Sequence, residues 1–74
     1  MKLAELLIEI YKQLLKASEI ARSLDEAVFR DVEEACIRVG DAITRMRTRG
    51  KLDPSLEREF LSAIGHGISY EKRS

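Results

Sequence analysis

Seventy-four residues carry thirteen basic and thirteen acidic side chains and are 45% apolar, so the chain is one small domain with no net field to draw in nucleic acid or an anionic membrane. Cys36 is the single cysteine and His66 the single histidine, which excludes a disulfide framework and a zinc set. A chain this short hides only about 60% of its unfolded surface. Good helix packing or self-association must then supply its stability.

The first 22 residues contain neither Gly nor Pro. Leu3, Leu7, Ile10, Leu14, Ala17 and Ala21 follow a 4-3-4-3-4 spacing, which predicts one side of a helix over about 2–22. Ala4, Ile8, Tyr11 and Leu15 widen that side to roughly 200°, about twice what a single neighbour needs. Lys2, Glu5, Glu9, Lys12, Gln13, Lys16 and Glu19 fill the rest. These charges break the apolar run, so neither an export signal nor a membrane span is expected, and a lone thiol fits a reducing cytoplasm.

In "SLDE", Ser23 as N-cap with Glu26 three residues later predicts a capping box that opens a second helix over about 24–49. Its expected core row is Val28, Val32, Ala35, Val39, Ala42 and Met46, with Phe29, Cys36 and Ile43 on one flank. Cys36 is read there as a small hydrophobe. Glu26, Arg30, Glu34 and Arg38 form an i,i+4 charged face. Gly40, in mid-helix, either admits another helix closely or is a tolerated flaw costing about 1 kcal/mol.

"TRMRTRGKLDPS" (Thr44 to Ser55) is the one stretch that hints at chemistry. Gly50 predicts a left-handed helix end, the arginines before it suit exposed carbonyls, and Asp53 and Pro54 predict N-cap and N1 of a third helix. Arg45, Arg47, Arg49 and Lys51 have no obvious acidic partner in sequence, so they are the candidate contact for an anion or an acidic partner. The third helix is expected over about 54–65, packing Leu56, Phe60, Ala63 and Ile64, with residues 66–74 as a tail. Gly65 and Gly67 motivate that end; the alternative is one continuous helix.

No arrangement for nucleophilic, acid–base or phosphate chemistry is apparent, and no enzyme activity, cofactor or metal is expected. His66 is read as a surface residue. A helix-turn-helix reading would bring Glu57 and Glu59 near phosphates, and the aromatics are too few to stack bases. Nucleic-acid binding through Arg45–Lys51 is therefore the second reading. "KLAELLIEIY" (Lys2 to Tyr11) and "IGHGIS" (Ile64 to Ser69) resemble the two ends of the sporulation kinase inhibitors, small helical hairpins that bind a histidine kinase. The resemblance covers under a quarter of the chain, and it implies a protein-binding helical module.

The expected fold is all-α: an antiparallel hairpin plus a short third helix, self-associating into a helical bundle. A homodimer with a four-helix core follows from the wide first helix; a closed three-helix monomer is the alternative. The expected function is a small interaction or regulatory module with an unknown protein partner. Its interaction face is Leu3, Leu7, Ile10, Tyr11 and Leu14.

Overall fold

The computed structural model describes the backbone of residues 2–73 and the side chains of residues 2–65. All its regular elements are helices: α1 (Leu3–Arg22), α2 (Glu26–Thr48) and α3 (Pro54–Arg73). The expected all-α hairpin with a third helix is what the chain builds. α1 and α2 make the most extensive contact, and α3 adds a smaller one against α1. α3 begins where α2 ends and runs back beside α1.

The hairpin turn is built differently from the expected capping box. Ser23 closes α1, with its Oγ donating to Ile20 O at 3.1 Å. Asp25 caps α2 instead, its Oδ1 accepting from the N–H groups of Ala27 at 2.9 Å and Val28 at 3.3 Å. Asp caps as well as Ser does, and the later start frees Ser23 for the end of α1. Phe29 then lies under the Arg22 guanidinium, 5.2 Å from its carbon to the ring centre.

The second boundary forms as expected. Gly50 has φ 70. Lys51 N–H donates to Met46 O at 2.9 Å and Gly50 N–H to Arg47 O at 3.1 Å, the paired bonds of a Schellman end. Asp53 Oδ1 then accepts from Ser55 N–H at 3.1 Å, with Pro54 as the first helical residue.

α3 does not stop near Gly65. Its helical backbone continues to Arg73, so the continuous alternative describes this region and residues 66–73 are not a tail. A glycine ends a helix where it takes a left-handed conformation, as Gly50 does; Gly65 has no positive φ. The side chains of His66, Ile68 and Tyr70 lie outside the described residues.

The core is a cluster of one residue per helix, Ile8, Ile43 and Phe60, with exposures of 1%, 0% and 2%. Leu7, Tyr11, Val39, Leu52, Leu56 and Ile64 pack around it. Tyr11 meets Phe60 edge to face at 5.3 Å. Gly40 lets the Tyr11 ring lie against α2: a Cβ there would stand 3.1 Å from Tyr11 Cε1. That settles its role as a close-approach residue.

Two substitutions check this account by denaturant unfolding. Ile43→Ala should cost about 2–5 kcal/mol, because a fully enclosed side chain leaves a cavity. Gly50→Ala should cost about 1 kcal/mol, from φ alone, since nothing lies within 4 Å of an added Cβ.

Candidate interaction surface

The most deeply buried positions lie toward the flanking rows of the expected apolar sides, although Ala21 of the expected α1 row is buried and Leu7 and Val39 of the expected rows pack on the core cluster. α1 buries Ala4 and Ile8 and half-buries Tyr11 and Leu15, one position after the Leu3–Leu7–Ile10–Leu14 row. α2 buries Cys36 and Ile43 and half-buries Phe29, one position after Val28, Ala35 and Ala42. One residue is about 100° of helix rotation. The cause is α3. Phe60 sits against Tyr11 and Ile8, Lys12 Nζ donates to Glu59 Oε1, and Arg47 Nε donates to Glu57 Oε1 at 3.3 Å. These contacts hold α3 over the Ile8–Lys12 flank of α1 and the Gly40–Arg47 flank of α2, and the core turns toward it.

Because α1 and α2 are antiparallel, a rotation of the same sense in each moves both displaced rows to the same side. The hairpin side away from α3 is therefore apolar and open. Leu3 is 61% exposed, Leu6 45%, Ile10 38% and Val28 49%. Ala17 is exposed beside them, and Leu14, Ala35, Ala42 and Met46 are half-buried along the seam. At its margins stand Gln13 on α1 and Asp31 and Arg38 on α2, all exposed.

The five residues predicted as an interaction face are thus divided. Leu3 and Ile10 lie on the open side, Leu7 and Tyr11 pack against the core cluster, and Leu14 is half-buried at the seam. Leu6 was missed, although its i+4 relation to Ile10 marks it. Ile20 and Leu24, 62% and 78% exposed near the turn, were missed too; they fall outside the 4-3 row.

The basic cluster is also divided. Arg47 has a partner in Glu57, ten residues on, which only the return of α3 brings near. Arg45, Arg49 and Lys51 make no ion pair among the described residues. Arg45 and Arg49 line an open surface depression with Asp41, Thr44 and Thr48. Among the described residues no group of three or more His, Cys, Asp and Glu side chains is placed to hold a metal ion, and no helix is long and apolar enough to cross a membrane.

Cys36 is buried, and its thiol is pushed up in pKa by burial first and by Glu33 second. Tyr11 is pushed up as well, by burial and then by Cys36. No protein-family model matches this chain, and neither do the curated proteins or the solved structures with which it was compared.

A raised folded-state pKa means the native state holds the proton more tightly. Stability should be level below the ordinary thiol value of about 8.5 and fall as pH rises from there toward the raised value of Cys36, the Tyr11 part following only above the ordinary phenol value of about 10. Thermal melts between neutral pH and pH of about 10 should show that decline. Cys36→Ala should make it shallower.

Proposed function

We propose that the chain is a small interaction module whose working surface is the open side of the α1–α2 hairpin. Three large apolar side chains of α1, Leu3, Leu6 and Ile10, stand in water within two turns of one another, with Val28 of α2 exposed farther along toward the turn, and this arrangement carries the reading. It forms a stripe of two helices with charged margins, the shape that receives another amphipathic helical surface. A second copy of the chain supplies such a surface, so the module is a homodimer with a four-helix core of two hairpins. A regulatory role is the companion reading, for a module that acts by burying a helix face against a partner. A reducing cytoplasm suits the buried, unpaired Cys36 thiol.

The second reading is a nucleic-acid accessory protein using Arg45, Arg49 and Lys51. The absence of acidic partners for these three among the described residues favours it. The Arg47–Glu57 pair and the neutral total charge weigh against it. Salt separates the two readings. Phosphate contacts weaken steeply as salt rises, whereas apolar packing holds.

The test is Leu6→Lys with Ile10→Lys, followed by sedimentation equilibrium and circular dichroism. Helicity should persist, because both side chains are exposed, while association should be lost. Unchanged self-association in the double variant would remove the open side as the working surface. Salt-sensitive binding to duplex DNA or RNA by the same variant would favour the second reading.

A further inference from the structure

We infer that the second copy docks on the open hairpin side in one register, with a two-fold axis crossing α2 at Ala35, so that Asp31 of each subunit faces Arg38 of the other. The inference rests on the reading just given, that this side is the working surface.

Two sets of residues locate the axis independently. The first is charge. Asp31 and Arg38 are seven residues apart, two helical turns, on the same margin of α2. A copy of α2 laid antiparallel across this margin brings Asp31 opposite Arg38 twice over if the axis lies midway between them, beside Ala35. Val28 then faces Ala42, and Ala35 faces itself, so small side chains stand at the crossing and let the helices approach.

The second set is apolar. Ile10 and Ile20 are placed symmetrically about Leu15, and so are Leu6 and Leu24. A two-fold axis at that level pairs Ile10 with Ile20 and Leu6 with Leu24 across the interface. These are four of the five exposed large apolar residues of α1 and the turn; the fifth, Leu3, falls opposite Ala27 in this register. The levels on the two helices can be compared through Tyr11, whose ring lies against Gly40. Counting from that contact in opposite directions, Ala35 is level with Lys16, one residue from Leu15. The charged margin and the apolar residues therefore give the same axis to within one residue, about 1.5 Å.

The competing arrangement, with the axis along the bundle, stacks α1 on α2 at equal levels. It sets Asp31 opposite Ile20, Arg38 opposite Gln13 and Lys2 opposite Arg49, which pairs no charges and brings like charges together. The area is adequate for the favoured arrangement. A face two helices wide is about 20 Å by 30 Å before side-chain relief is counted, near the roughly 800 Å² per partner of a stable interface. Arg38 Nη2 also donates to Glu34 Oε1 at 3.0 Å within its own helix. Both groups are well exposed, and the guanidinium has donors left for Asp31 of the second copy.

Charge reversal tests the register with the full chain. Asp31→Arg alone and Arg38→Asp alone should each weaken the homodimer about tenfold or more, since two attractive pairs become repulsive. Both sites are exposed, so helicity should be unchanged. An equimolar mixture of the two single variants should form heterodimers in excess of the statistical half, read by native mass spectrometry. The double variant Asp31→Arg/Arg38→Asp should dimerise like the unsubstituted chain. Single variants that dimerise normally, or a statistical mixture, would overturn the register; if Leu6→Lys/Ile10→Lys still abolishes the dimer, the open side stands as the surface. An unsubstituted chain that sediments as a monomer at high micromolar concentration overturns both.

Discussion

Ile8, Ile43 and Phe60 are the most deeply enclosed large side chains among the described residues, and each comes from a different helix. Their meeting point decides which flank of the hairpin α3 covers. An α1–α2 hairpin alone has two equivalent grooves, one on either side of the line between its axes. Phe60 fills one of them, with Tyr11 against its ring edge and Gly40 giving that tyrosine room. Once that groove is taken, α1 and α2 turn their most apolar rows toward it. The other groove keeps Leu3, Leu6, Ile10 and Val28 and has no neighbour within the described residues.

The parts of this fold that were legible in the sequence are those set by local chemistry. The gap-free apolar periodicity of residues 3–21 gave α1, and Gly50 with Asp53 and Pro54 gave the second boundary, where left-handed φ, a side-chain cap and a fixed proline φ each demand a particular residue. The first boundary was ambiguous because Ser23 and Asp25 are both competent caps two residues apart. Only the turn's geometry assigns one to the end of α1 and the other to the start of α2. The continuation of α3 past Gly65 was illegible for a related reason: glycine lowers helix propensity by about 1 kcal/mol but does not impose an end.

The facing of the hairpin was not legible either, and for a different reason. An apolar arc of about 200° contains more than one row that a helix of ordinary width can bury. Periodicity gives the arc, and only the position of the third helix selects the row within it. The same holds for the basic cluster. No local rule pairs Arg47 with Glu57, since they approach across the α2–α3 connection. Arg45 and Arg49, by contrast, lie in the last turns of α2, where positive charge already complements the carbonyl end.

Length links the open groove to stability. A domain of 8.4 kDa has little interior, and here three large side chains make its centre. Filling the second groove cannot be left to α3, which is held on the opposite side by Phe60 and by the Lys12–Glu59 and Arg47–Glu57 pairs. Burial of the remaining rows then requires a surface from outside the chain, and association favours the folded form by mass action. In the proposed dimer the apolar rows supply the driving force, which is indifferent to direction, while the exposed Asp31 and Arg38 contribute little energy of their own. Their part is to make one sliding position of the two hairpins better than its neighbours. A flat apolar stripe without such a pair would let the copies slip by a turn, and the placement of opposite charges two turns apart on α2 is the simplest device that opposes it.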